Sequence, residues 1–332
     1  MMEFRTLGST GLLVSRIGLG MAALGRPGYI NLGHGNDLGG DFRETSMEAR
    51  AHALLDTAWS SEIRYFDVAR SYGLGERFLG NWLTKRGVAQ ESVIVGSKWG
   101  YRYTANWKVH ANVHEIKEHT LPMLKGQWRE SVSLLNGYID LYQIHSATME
   151  SGILENNEVL EELARLRQQG IRIGLSLTGP GQSEVLRKAM EIGFDGSRLF
   201  ECVQATWNLL EQSAGPALAE AHAGGIGIII KEALANGRLT NRNDDPDFAP
   251  KLNLLKEESE RLNVPVDAVV IAATLSEPFA DTILSGATST SQLLSNVIGC
   301  GTALDADVRE RLLEMAESPH QYWEKRQSLR WN

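Results

Sequence analysis

Short apolar runs alternate with amphipathic stretches from residue 16 nearly to the C-terminus, and this alternation is how βα units of a parallel sheet read in sequence. The runs fall at 16–21, 65–69, 93–98, 139–146, 172–177, 202–208, 225–231 and 282–287, which makes eight predicted strands. The stretches between them carry a helical period. In 157–169, Val159, Leu160, Leu163 and Leu166 share one face, Asn156 is placed to cap it and Gly170 to end it. In 75–83, Phe78, Leu79, Trp82 and Leu83 do the same, and after Asp305 the stripe is Val308, Leu312 and Met315. Eight such units close most simply as an α/β (β/α)8 TIM barrel spanning 1–332 as one domain, because a doubly wound sheet uses fewer strands and leaves a second domain over. Residues 4–15, around Gly8-Ser9-Thr10-Gly11, read as an N-terminal β-hairpin suited to closing the barrel's bottom. Two Gly/Asn-rich stretches, 25–44 and 236–250, are long enough to act as lids or binding segments.

Composition narrows the partners. The 332 residues are 42% hydrophobic and 22% charged, which fits a folded globular chain and excludes collagen-like or disordered classes. A net charge of −8 provides no basic field for nucleic acid or an anionic membrane. The two cysteines, Cys202 and Cys300, are far apart with no metal or redox spacing, so both read as packing residues in a reducing compartment. No apolar run approaches a membrane span and the opening residues do not read as a secretion leader, so the expected location is cytoplasmic.

In a (β/α)8 barrel the chemistry gathers at the C-terminal ends of the strands. Strand two leads into Asp67 and Tyr72, strand three ends at Lys98 and strand four at His145. Singly, a strand-end Asp is as often a helix cap and a lone His is more often structural. Together, an acid, a phenol, an amine and an imidazole on one rim are a reactive set. An ammonium beside a phenol favours phenolate and lowers its pKa, so Lys98 is expected to pull Tyr72 down, with Asp67 as the counter-ion that lets Lys98 stay charged. With His145 bonded to the same oxygen, the set suits giving a proton to a carbonyl oxygen as charge develops there. That is half of a carbonyl reduction. The other half needs a hydride, which no side chain supplies.

The spacing Asp67-x4-Tyr72-Gly73, with Ser97-Lys98, Gln143-x-His145, Gly174-x-Ser176 and the late Gly286-x-Thr288-x3-Gln292-x3-Asn296, resembles the aldo-keto reductases. The opening from Leu7 to Gly20 resembles that family's hairpin and first strand, and the matches run in order from residue 5 to about residue 300. The resemblance implies a barrel that binds NADP(H), with NAD(H) as the other candidate, and reduces aldehydes or ketones. Tyr72 would be the general acid, Lys98 and Asp67 would tune it, and His145 would orient the carbonyl. By the same resemblance Met21 and Ala22 meet the nicotinamide ribose, and Ser176 and Gln204 hold the carboxamide. Lys231, Glu232 and Leu234 follow strand seven beside the cofactor, and Gly286, Thr288, Gln292 and Asn296 clamp the adenosine half. Three positions depart from the family pattern. Leu177 follows the carboxamide serine where Asn or Arg is usual, which shifts part of that grip to Thr178. Lys231 stands where an aromatic usually stacks on the nicotinamide. Gly286 and Gln292 replace the usual cations at the 2′-phosphate, leaving Arg238 or Arg242 to supply the charge.

Other readings make different demands. Gly18-x-Gly20-x-x-Ala23 fits a loose Rossmann fingerprint but needs a helix where residues 24–28 break one. His110, His114 and His119 form a loose metal-like spacing without a carboxylate pair and read as loop residues. Lys98 or Lys231, desolvated at a barrel mouth, would make a Schiff-base aldolase nucleophile. Proteins resembling this family, such as potassium-channel beta subunits, also bind NADP(H) as regulatory partners, and sugar dehydrogenases with a similar opening make an aldose hemiacetal the second substrate candidate. Trp99, Tyr101, Tyr103, Trp107, Tyr29 and Ile30 are the aromatic and apolar residues expected to wall a pocket above Tyr72, or else to anchor the loops.

Overall fold

The computed structural model describes residues 2–332. Eight parallel strands form a closed barrel: β1 (Ile17–Gly20), β2 (Tyr65–Asp67), β3 (Ile94–Trp99), β4 (Leu141–Ala147), β5 (Arg172–Leu177), β6 (Cys202–Thr206), β7 (Gly227–Lys231) and β8 (Thr282–Ser285). Each strand pairs with its sequence neighbour, and β8 returns to β1 with Ile283 opposite Ile17. Every strand falls on its predicted run to within two residues, β3 and β4 each running one residue past it, to Trp99 and Ala147. The largest trims have local causes: the run from Cys202 stops at Thr206 because the Asn208 side chain turns the chain, accepting from the N–H groups of Leu210 and Glu211.

Parallel strands buried on both faces read as nearly continuous apolar runs, as Ile228, Ile229 and Ile230 of β7 do. Outside the barrel lie α1 (Glu44–Ser60), α2 (Gly75–Arg86), α3 (Leu121–Leu134), α4 (Asn157–Gln168), α5 (Gln182–Met190), α6 (Gly215–Ala223), α7 (Ala249–Leu262), α8 (Val266–Leu275) and α9 (Thr290–Ile298), followed by α10 (Ala306–Leu313) and α11 (Pro319–Ser328). Asn156 caps α4 as its position predicts, accepting from Val159 N–H at 3.3 Å.

The hairpin, Phe4–Thr6 paired with Leu13–Ser15, closes the bottom. Its Leu7 and Val14 join Tyr65, Leu141, Cys202 and Ile229 in one buried cluster, so the barrel's interior is filled from below by the chain's own start. The close approach demands glycine at the turn: Gly8 has φ +50°, and a Cβ there would lie 2.2 Å from the Gly227 nitrogen.

Function concentrates at the opposite end. Loop 25–44 carries a one-turn helix, His34–Asp37, and loop 236–250 a 3-10 turn, Pro246–Phe248. An antiparallel pair, Tyr101–Tyr103 with Glu115–Lys117, follows β3 and was not foreseen from the sequence pattern. Among the described residues no helix is long and apolar enough to cross a membrane.

Candidate active site

The mouth of the barrel opens into a cavity of about 490 Å³ lined by Asp67, Tyr72 and His145. Asp67 ends β2 and is 1% exposed; Lys98 on β3 is 0% exposed. The Lys98 ammonium donates to Asp67 Oδ1 at 2.5 Å and to the Val68 carbonyl at 3.0 Å. The other Asp67 oxygen accepts from Gln204 Nε2 (2.8 Å), Tyr65 Oη (3.1 Å) and Gln143 Nε2 (3.4 Å). A buried ion pair needs such saturation, because each charge has lost its water.

Tyr72 sits in front of this pair, with the Lys98 nitrogen 4.9 Å from its ring centroid. Its position depends on three glycines. A Cβ on Gly25 would lie 2.1 Å from the Tyr72 carbonyl and 2.7 Å from Gly75, and Gly73 has φ +59°. Gly25→Ala is therefore expected to push the Tyr72 turn away, lowering stability by about 1–3 kcal/mol through overpacking. Turnover should fall as well. Thermal unfolding and steady-state rates read both effects, and a parent-like variant would show that the contact does not place Tyr72.

The expectation for the Tyr72 pKa is corrected. Burial and the nearby Asp67 carboxylate raise the phenol well above its ordinary value. Burial and the Asp67 charge outweigh the pull of the Lys98 ammonium, which Asp67 holds in direct contact.

His145 lies on a β-bulge: β4 and β5 pair through Ile144 with Leu175 and resume at Ala147 with Leu177, leaving two residues opposite one. Ser146 there adopts φ +53° and donates its N–H to Ser176 Oγ at 2.8 Å. The bulge turns the imidazole toward Tyr72, with ring centroids 5.5 Å apart. Burial, then the Lys98, Arg26 and Lys231 charges, lowers the His145 pKa well below its ordinary value, so the ring is neutral near pH 7.

The cavity runs on from this rim past Ala22, Ser176, Gln204, Lys231, Glu232 and Leu234 to Gly286 and Thr288 just before α9 and Gln292 and Asn296 within it. Lys231 donates to Thr206 Oγ1 at 2.6 Å, and burial brings its pKa down to about 8 even with Glu232 beside it. Glu232, at φ +58°, accepts from Arg326 Nε at 2.8 Å. Burial alone would raise the Glu232 pKa, but the Arg326 and Lys231 charges outweigh it and hold the group well below its ordinary value.

Several expected residues lie elsewhere. Met21 is fully buried with its N–H spent on the Asp67 carbonyl at 2.9 Å, so Ala22 alone of that pair reaches the cavity. Trp99 is fully buried, edge-on to His119, and is not part of the wall. Tyr29 and Ile30 do line the cavity; Tyr101 packs behind it with its ring 4.9 Å from His145. Tyr103 and Trp107 border a separate depression beside Arg70 and Glu130. Arg238 is also corrected: it donates to Glu317 at 2.6 Å in the interior and packs on Tyr322. Of the loop histidines, His114 stacks on Trp331 and His119 bonds the His145 carbonyl at 2.9 Å.

Sequence reasoning missed Arg26. Its guanidinium is buried at the cavity edge, donates to Glu115 at 2.9 Å, and lies 5.4 Å from the Tyr72 ring centroid and 4.9 Å from that of Trp331. The sole signal was a basic residue beside Pro27 in a Gly/Asn-rich loop. Arg326 was missed too, since its partner Glu232 is 94 residues away.

The donor set fits a nicotinamide dinucleotide. The cavity runs from the reactive groups at one end to the segment around the N-terminus of α9 at the other, lined there by Gly286, Thr288 and Gln292. Ser176, Thr178, Gln204 and Asn296 would meet its amide and hydroxyl groups, and Lys231 its charge.

A closed parallel barrel with a phenol, a buried ammonium–carboxylate pair and a neutral imidazole on its C-terminal rim defines a (β/α)8 enzyme mouth. Residues 16–317 match the model of the aldo/keto reductase family, and the chain belongs to that family: it is an aldo-keto reductase family oxidoreductase. It is 25% identical to pyridoxal 4-dehydrogenase of Microbacterium luteolum, over 89% of this chain and 92% of that one. It is 29% identical to aldo-keto reductase YhdN of Bacillus subtilis, over 90% and 89% of the two chains. Among solved structures, the holo form of aldo-keto reductase AKR11C1 from Bacillus halodurans shares the fold with a TM-score of 0.71 at 22% identity, covering 96% and 97% of the two chains.

Proposed function

We propose that the chain reduces an aldehyde or ketone to the alcohol with a nicotinamide dinucleotide, Tyr72 giving the proton. The observation that carries this reading is the placement of Tyr72: on the cavity wall, with the Lys98–Asp67 pair behind it and His145 beside it. A bound reduced nicotinamide supplies the hydride. Tyr72, held protonated by its raised pKa, donates to the carbonyl oxygen as negative charge grows there. Lys98, held by Asp67, stabilises the phenolate that this leaves. His145, being neutral, offers one ring N–H to the same oxygen and takes no part in net proton transfer. Lys98 is unsuited to Schiff-base chemistry, since its nitrogen is enclosed and already donates to Asp67 and Val68. The names of the relatives, which include a pyridoxal dehydrogenase, support carbonyl or alcohol chemistry on a small molecule.

The test is consumption of NADH and NADPH against a panel of aldehydes, ketones and aldoses. A pH profile sharpens it. With His145 neutral throughout, turnover should show no step near the ordinary imidazole value of about 6.5; a step there that vanishes in a His145 variant would contradict the assignment. The same shift has a stability consequence. The unfolded imidazole binds its proton more readily than the folded one, so the chain should lose stability as pH falls below about 6.5.

A further inference from the structure

At the end of the cavity away from Tyr72, donors from three segments converge on one carboxylate. Asp37, in the one-turn helix of loop 25–44, accepts from Thr288 Oγ1 at 2.9 Å and Gln292 Nε2 at 3.0 Å. Arg242, in the loop after β7, adds a two-pronged contact, Nη1 at 2.7 Å and Nη2 at 2.5 Å. Burial alone would raise the Asp37 pKa, but these donors outweigh it and keep the group ionised below its ordinary range. A second carboxylate, Asp267 on α8, shares the same wall and accepts from Ser295 Oγ at 2.7 Å and Asn296 Nδ2 at 2.9 Å. Positions 286 and 292 are glycine and glutamine and bring no charge. The cation that meets Asp37 is Arg242, and both its terminal nitrogens are already engaged.

We infer that Asp37 makes this end of the cavity select a dinucleotide with a free ribose 2′-hydroxyl, NAD(H), against one bearing a 2′-phosphate, NADP(H). The inference rests on the dinucleotide reading of the cavity given above, with the reacting half at Tyr72 and the adenosine half therefore at this end. A ribose hydroxyl donates to a carboxylate at no electrostatic cost. A 2′-phosphate adds about −1.5 to −2 charges at neutral pH. Here it would face Asp37 and Asp267 together, and the donors able to receive it are committed to an internal anion. To admit it, Asp37 must give up a bidentate guanidinium contact and two further hydrogen bonds. The opposite reading takes Asp37 as a place-holder for the phosphate, leaving when it arrives; it predicts the reverse order of affinities.

Titration of reduced-nicotinamide fluorescence with NADH and with NADPH separates these cases, using the parent chain and Asp37→Asn. The parent should bind NADH about tenfold or more tighter than NADPH, the scale that one adverse charge contact produces. Asp37→Asn keeps the side chain's shape and an acceptor for Arg242. It should weaken NADH a few-fold, because a neutral amide replaces the carboxylate at the ribose hydroxyl, and tighten NADPH by about tenfold, so that the NADH-over-NADPH ratio collapses. Matched unfolding midpoints for the two proteins exclude a general loosening of the loop. A parent preference for NADPH, or a ratio that Asp37→Asn does not move, would overturn the role of Asp37 while leaving the dinucleotide reading intact. Binding of neither nucleotide would overturn both.

Discussion

Tyr72→Phe should reduce carbonyl turnover by about 10²–10⁴-fold, the usual contribution of a positioned general acid. The substitution removes one oxygen from the cavity wall and leaves the ring, its edge contact with His145 and its packing against the Lys98 ammonium in place. Folding and nucleotide affinity should therefore be close to those of the parent. The loss should appear in kcat rather than in KM, because the phenolic proton moves only as charge develops on the carbonyl oxygen. Retention of turnover in Tyr72→Phe would remove Tyr72 from the proton's path and point to a water or to Lys231, which also lines the cavity.

Lys98→Met should be the most destabilising single change at the rim. It leaves the Asp67 carboxylate, 1% exposed, with neutral donors only. Removing one partner of a buried ion pair costs about 3–5 kcal/mol, because the other charge stays buried and uncompensated. Urea unfolding reads this directly. The double variant Lys98→Met with Asp67→Asn should recover part of the loss, since it removes the stranded charge as well. A Lys98→Met protein within about 1 kcal/mol of the parent would mean that the pair contributes little beyond a surface contact. In either variant turnover should also fall, as Lys98 faces the phenolate that Tyr72 becomes.

The barrel was legible because a strand buried on both faces leaves a continuous apolar run, and eight such runs in order admit few closures. The rim was legible because Asp67, Lys98 and His145 each stand within two residues of the end of such a run. What escaped the sequence depends on contacts between distant segments. Asp37 meets Arg242, Thr288 and Gln292 from more than 200 positions away, and Arg326 meets Glu232 across 94. The bulge at His145 and Ser146 carries no glycine, so nothing local announced it. The direction of the Tyr72 shift required knowing that Asp67 lies in contact with Lys98. The misplacement of Trp99 was avoidable: side chains alternate along a strand, so with Lys98 facing the rim its neighbour must face the other way, into the helical layer.

Carbonyl reduction at this mouth requires the cavity to be a dinucleotide site that delivers hydride to a carbonyl next to Tyr72. The most direct measurement is to follow reduced-nicotinamide fluorescence while the protein is first titrated with NADH or NADPH and then mixed with an aldehyde panel. Saturable binding, followed by loss of the signal with an aldehyde in the parent but not in Tyr72→Phe, is expected. Failure of both nucleotides to bind, or equal rates of signal loss in the two proteins, would contradict it.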